Sequence, residues 1–387
     1  MRWKKLVGLP TDFVKEAKHH MKRLLTVFGA VVLCSGMGCQ NFGPRALQTT
    51  HPQYNLAISR SLDEQFLLNL VRLKYRDNPF FLEVSSVTTQ QSIQQEVSTS
   101  AGFLPGRSTL STVAGLTYKQ TPTISYTPLR GDQFLKQILS PIPMEAVLIL
   151  VQSGWSVERV MSICVERVND LDNAGNASGP TPGREPRYKE FHEMVGILRE
   201  LQLADAIELG AAPCLPDANG KPRPGRDLVL RIRPSPELAA RIVRLKELLG
   251  VPGAGDLLRL TTDFLNRPEN SLAVRTRSMM GILFYLSHNT RVPAADEQGG
   301  LVTVTQSADG GRFDWNLVTG NLLKVDSAAQ RPPGAFIAVQ HRGAWFYIRN
   351  NDLESKSTFM LLSQLFNLQA GQIKTVAPAL TIGVGGG

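Results

Sequence analysis

The chain is 387 residues long, with 42% hydrophobic residues, 7% aromatics, 19% charged residues, 33 Gly and 24 Pro. That balance lies in the globular range and excludes wholesale disorder, a collagen or coiled-coil fibre and a multispan helical membrane protein. The formal charge of +9 is uneven: residues 1–38 carry a net of +5, which leaves +4 for the remainder, an ordinary value that gives no ground for nucleic-acid binding.

Within the basic leader, Lys22 and Arg23 precede an apolar run, residues 24–33, that ends in Ser35, Gly36, Met37, Gly38 and Cys39. Residues 24–38 number only 15, short of the roughly 20 that a spanning helix needs, so the segment reads as an export signal. Small residues directly before a cysteine make residues 21–40 similar to the signal of bacterial lipoprotein precursors, with Gly36 where that family usually has Leu. The resemblance implies cleavage between Gly38 and Cys39 and acylation of Cys39, palmitate included. Because Gln40 and not Asp follows, it also implies the periplasmic face of the outer membrane. A plain secretory signal and an uncleaved anchor are the alternatives, and Cys34, preceded by bulky Leu33, is the poorer lipid site. Residues 1–20 are an odd extension for such a signal; either Met21 is the initiator or they form a cytoplasmic segment. A short tether, residues 39–52, follows.

Residues 54–76 are expected to form a helix, with Leu62, Phe66, Leu70 and Leu73 on one stripe and Pro79 as its stop. Residues 80–97, 109–118 and 121–127 read as strands rich in Thr, Ser and Gln, suited to a half-solvated sheet or to a partner's sheet edge. Short helices are expected over 134–139, 144–152 and 157–168, then a linker over 171–186, a helix over 188–203 and strands over 206–209 and 228–232. This order of helices and strands resembles a winged helix, an architectural likeness only. Helices over 237–249 and 272–286 follow, the second apolar with two arginines near its start. A hairpin of 335–339 and 344–348 about His341, Arg342 and Gly343, a helix over 353–368 and a strand over 379–384 complete the pattern.

Groups that could carry chemistry are sparse. Cys164 and Cys214 could pair, closing a loop worth roughly 4 kcal/mol, or Cys164 is a small buried hydrophobe on the apolar side of its helix. His51, His192, His288 and His341 have no metal-ligand spacing, and Asp170 and Asp172 make only half a calcium loop. Ser355 and Lys356 do not meet the SxxK spacing and read as helix-surface residues. Arg223, Arg226, Arg231 and Arg233 form a basic stretch for lipid headgroups or an acidic partner, or a solvated loop.

Residues 60–81, 122–127 and 345–369 resemble segments of uncharacterised Gram-negative envelope lipoproteins, a likeness that implies location and no activity. The pattern predicts an α+β protein: leader 1–38, tether 39–52, mixed module 53–170, linker 171–186 and second α+β module 187–387. The expected role is a lipid-anchored, non-enzymatic scaffold or protein-binding component. It needs no metal and no cofactor, its partner is another envelope protein, and nucleic acid is not among its partners. A periplasmic hydrolase with a site assembled from distant residues, or a subunit of an oligomeric channel sharing the strands between 80 and 127, are the alternatives.

Overall fold

The computed structural model describes residues 42–104, 107–129, 131–214, 221, 224–370 and 380–383. The leader, including Gly38 and Cys39, lies outside them, as does Arg223 of the basic stretch. The chain is α+β, and it divides into two compact units, residues 1–61 and 62–387. In the first unit the described part is the opening of α1 (Phe42–Lys74), which contains Pro52. The stretch expected as a tether is therefore helical from Phe42 onward.

In the second unit α1 buries Phe66, Leu67, Leu70, Val71 and Leu73, the spacing of one helix stripe. The three expected strand stretches form only two, β1 (Leu82–Leu104) and β2 (Arg107–Pro128), the second running on through Lys119 and Gln120 between the expected stretches 109–118 and 121–127. They pair antiparallel from Leu82↔Pro128 to Leu104↔Arg107, with one irregularity between Val84 and Ser86. At about 3.3 Å per residue this ribbon is roughly 70 Å long.

Helices α2 (Asp132–Leu139), α3 (Met144–Gln152) and α4 (Val157–Cys164) follow; Ser156 caps α4 by accepting from the Arg159 N–H. The helix expected over 157–168 stops at Cys164, and Val165–Val168 becomes β3. With β4 (Leu171–Asp172), β5 (Ile207–Pro213), β6 (Arg226–Ile232), β7 (Leu257–Thr261) and β8 (Ser271–Thr276) it makes a six-stranded sheet of order β4-β3-β8-β7-β6-β5. All neighbours are antiparallel except β7 and β8. Helix α5 (Lys189–Leu203) and α6 (Ala239–Leu248) bury Phe191, Met194, Leu201 and Leu245 in the same core as Leu230, Leu258 and Val274 of the sheet.

The expected linker over 171–186 is packed. Asn173, Ala174 and Ala177 have no exposed surface and Thr181 is buried, since small side chains let the backbone run inside the unit. The expected helix over 272–286 is likewise strand β8 followed by α7 (Met279–Ser287). Ser278 starts α7 by accepting from the Gly281 N–H at 3.0 Å, and β8 takes up sheet bonds with β3 and β7 on its two sides.

Helices α8 (Ala294–Gln298) and α9 (Asn316–Thr319) lead to a second sheet, β10 (Ala335–His341), β11 (Ala344–Arg349) and β9 (Asp326–Ala328). The β10–β11 turn is Arg342-Gly343, both at positive φ (49° and 83°), the primed geometry whose twist suits a two-residue hairpin. Helix α10 (Leu353–Ala370) buries Phe359, Leu361, Leu362 and Leu365 in the core shared with α1 and α7. The closing strand, β12 (Leu380–Gly383), pairs with residues 123–126 of β2.

Candidate functional site

Among the described residues, β1 has no partner but β2, and β2 has β12 beside it only over residues 123–126. The ribbon therefore presents two long rows of backbone donors and acceptors. Pro122, which lacks an N–H, stands one position beyond the last β12 pair, Gly383↔Thr123.

The register sorts the ribbon by chemistry. Paired positions share a face, and faces alternate along each strand. One face collects Val87/Ile124, Thr89/Pro122, Gln91/Gln120, Ile93/Tyr118, Gln95/Leu116, Val97/Ala114, Thr99/Thr112, Ala101/Leu110 and Phe103/Ser108. It carries no charged residue. The other face collects Thr88/Thr123, Gln90/Thr121, Ser92/Lys119, Gln94/Thr117, Glu96/Gly115, Ser98/Val113, Ser100/Ser111, Gly102/Thr109 and Leu104/Arg107. All three charges of the stretch fall there, and its apolar exceptions are Val113 and Leu104.

Inside the second unit the polar groups serve the fold. Arg277, 1% exposed, donates to the carbonyls of Ser162, Ile163 and Val165 at 3.2, 3.3 and 2.8 Å, to Asn173 O, and to Ser178 Oγ at 3.0 Å. Its guanidinium lies 3.9 Å from the Tyr285 ring centroid. The carbonyls it satisfies lie at the end of α4 and the start of β3, where a helix leaves acceptors open. Asn173 joins the cluster by donating to Ser162 O and Val165 O at 2.8 and 2.7 Å. Together they explain why α4 stops at Cys164: the chain turns into a strand about a fixed donor set. Burial pushes the Tyr285 hydroxyl up to about 12, and Arg277 opposes that shift.

Two polar clefts lie in this unit. One, of about 460 Å³, is lined by Lys74, His288, Thr290, Glu297, Arg312 and Asp314 among others, so residues distant in sequence do meet. Lys74 donates to His288 O at 3.1 Å, and burial lowers its amine to about 8, with Glu297 opposing. The His288 ring is spent on the protein: Nε2 lies 2.8 Å from Ala177 O and Nδ1 3.2 Å from Thr181 Oγ1. Burial first and the Lys74 charge second hold it down at about 3, so it is neutral and offers no base. Thr290 Oγ1 is buried without a hydrogen-bond partner.

The second cleft, of about 520 Å³, is lined by Ser156, Arg159, His192 and Glu354 among others. Arg159 pairs with Glu354 and donates to Thr358 Oγ1 at 2.6 Å. His192 has a buried Nε2 with no partner, and burial lowers its pKa. In neither cleft does a hydroxyl or thiol hydrogen-bond to a base that is itself oriented by a carboxylate, the arrangement that activates a nucleophile.

The remaining residues singled out from sequence are scattered. Cys164 has no exposed surface and burial pushes its thiol up to about 12; no disulfide joins it to Cys214, whose Sγ lies 3.2 Å from Asp227 Oδ1. The possible Cys164–Cys214 bridge is thus not formed, because one sulfur is enclosed by the core of α4 and α7 and the other sits past the end of β5. His341 Nε2 contacts Asp77 Oδ2 at 3.1 Å, and burial lowers its pKa despite that carboxylate. Asp170 and Asp172 pair with Arg167 and Arg187. Ser355 is not on the surface but 1% exposed: it donates to Asp352 Oδ2 at 2.7 Å and accepts from the Lys324 N–H. Arg226 and Arg233 bond Ala211 O and Glu208. Among the described residues no three His, Cys, Asp or Glu side chains are grouped to hold a metal ion, and no helix is long and apolar enough to cross a membrane.

Sequence reasoning missed Lys74, Thr290 and the Arg277–Asn173 cluster. Only the arginine in an otherwise apolar run gave a signal. Among the described residues the ribbon stands out by its length, by edges that pair only with β12 over residues 123–126, and by charges confined to one face. Neither a family model, nor a curated protein, nor a solved structure matches this chain.

Proposed function

We propose that the protein is a lipid-anchored component of the bacterial envelope, held by Cys39 at the periplasmic face of the outer membrane, and that it works by assembly and not by catalysis. The observation that carries the reading is the roughly 70 Å β1–β2 ribbon, which among the described residues has no neighbouring strand but β12 over residues 123–126. An open edge of that length is a template for another strand. The lipoprotein-like leader supports the location, and the commitment of His288 and Arg277 to internal hydrogen bonds supports a structural use of the buried polar groups.

A hydrolase assembled from distant residues is the second reading; in the cleft that holds Lys74 and Thr290 the nearby His288 is too acidic to serve as a base. The test is labelling with a palmitate analogue together with crosslinking in living cells. The wild-type protein is expected to carry the label, fractionate with the outer membrane and crosslink through residues of β1 and β2, and Cys39→Ser to lose the label. Unlabelled protein among soluble fractions, with no crosslink from either strand, would contradict the reading.

A further inference from the structure

Two strands alone are marginal in water, and among the described residues this ribbon pairs only with itself and, over residues 123–126, with β12. The faces say what environment would suit it. From Ile93/Tyr118 to Phe103/Ser108 one face runs for 11 residues of β1 with no charge, apolar at eight of its twelve positions and polar at Gln95, Thr99, Ser108 and Thr112, while the other face of the same stretch holds Ser, Thr, Gln and Glu96 with Gly102, Val113 and Gly115. Apolar and polar positions alternating over about 9–11 residues are the pattern of a strand that crosses a bilayer at a tilt of about 45°. At about 3.3 Å per residue and that tilt, 11 residues rise roughly 25 Å, the height of the apolar band of an outer-membrane barrel. An aromatic residue stands in each end row, Tyr118 in one and Phe103 in the other, where such barrels carry their aromatic girdles.

We propose that the distal half of the ribbon, residues 93–104 of β1 and 107–118 of β2, is a membrane-spanning pair contributed by each of several copies of this chain to one closed β-barrel. The proposal rests on the assembly reading above and names its partner. A single hairpin in hydrocarbon would leave every outward N–H and C=O unpaired, with no water to bond them, so insertion requires both edges to be closed. A further copy supplies that closure: the β1 edge of one chain meets the β2 edge of the next, and a barrel of two strands per copy has an even strand number and no edge left. The face with Ile93, Val97, Leu110 and Leu116 then meets lipid, and the face with Glu96 lines an aqueous interior. Pro122, which could not donate to a neighbouring strand, falls below the inserted part.

The test uses the full chain with Cys34, Cys39 and Cys214 changed to serine and the buried Cys164 kept, incorporated into phosphatidylcholine–phosphatidylglycerol vesicles, so that each introduced cysteine is the one reactive thiol among these positions. Single cysteines placed in turn at residues 94–101 carry a polarity-sensitive fluorophore. Odd positions are expected to be quenched by nitroxide lipid and even positions by aqueous iodide, with intersubunit crosslinks between β1 and β2. In unlabelled protein Val97→Arg is expected to reduce the inserted fraction on the order of 30-fold, whereas Ser98→Arg, one residue away, leaves it nearly unchanged. Intersubunit crosslinks with all positions open to iodide would overturn the barrel while leaving assembly intact. A chain that stays monomeric in vesicles would overturn both. Crosslinks to a different protein, with no alternation, would also overturn the barrel and assign the ribbon to a soluble partner's sheet.

Discussion

The Arg277 cluster and the β1–β2 ribbon handle polar groups in opposite ways. Around Arg277, donors and acceptors from α4, β3, the 171–178 stretch and α7 close on one another inside the core, so the cluster is complete without any other molecule. Along the ribbon the backbone closes on itself down the middle, its margins pair among the described residues only with β12 over residues 123–126, and the charged residues fall on one face. The first arrangement makes a fold self-sufficient. The second is stable only when something else supplies the missing pairs.

The largest effect is expected where the self-sufficient region is broken. Arg277→Met removes the donors that four carbonyls and a hydroxyl share, and unfolding free energy is expected to fall by about 3–5 kcal/mol in urea titrations, a loss that an apolar side chain of similar length cannot restore. A change within experimental error would mean that the carbonyls are met in some other way.

The next effect depends on pH. Burial lowers His288 in the folded chain to about 3, below its ordinary value of 6.5, so the unfolded chain binds the proton more tightly between those limits. Its contribution is therefore complete above pH 6.5 and is lost as pH falls toward about 3. At pH 5 this group alone should cost about 2 kcal/mol relative to pH 7.5, and His288→Gln should flatten that part of the profile. An unchanged slope in the variant would contradict the assignment.

Why some of this was legible in the sequence and some was not follows from where the signals lie. The β10–β11 hairpin is set by local chemistry, a two-residue Arg-Gly turn between alternating strands. The apolar stripe of α1 is also local, and so is the Thr/Ser/Gln alternation of the ribbon. The segments misread are those decided by distant partners. Residues 272–286 have helical composition, yet β8 forms because β3 and β7 lie on either side of it. The Gly- and Asn-rich 171–186 stretch has the composition of a linker, yet Asn173, Ala174, Ala177 and Thr181 are buried, with Ser178 bonded to Arg277 and Ala177 and Thr181 to His288. Lys74 and Thr290 are 216 positions apart, and no spacing rule brings them to one cleft.

A smaller effect probes the short hairpin. Gly343→Ala places a β-carbon at φ 83° with no atom near enough to clash, so only the backbone cost applies, about 1 kcal/mol. A thermal shift of zero would show that the turn relaxes freely. Smallest of all is the expected stability cost of removing residues 93–118 and rejoining the strands with a Gly-containing turn: below about 0.5 kcal/mol for the unit, because the bonds lost are those of the ribbon itself. A large loss would mean that the ribbon supports the fold and is not held in readiness for a partner.

That same shortened chain gives the most direct measurement of the central claim, the mass of the detergent-extracted protein with and without residues 93–118. The intact chain is expected as a multi-copy particle and the shortened one as a folded monomer. Equal masses for the two, whether both single or both assembled, would contradict the assignment of the ribbon as the element through which this protein acts.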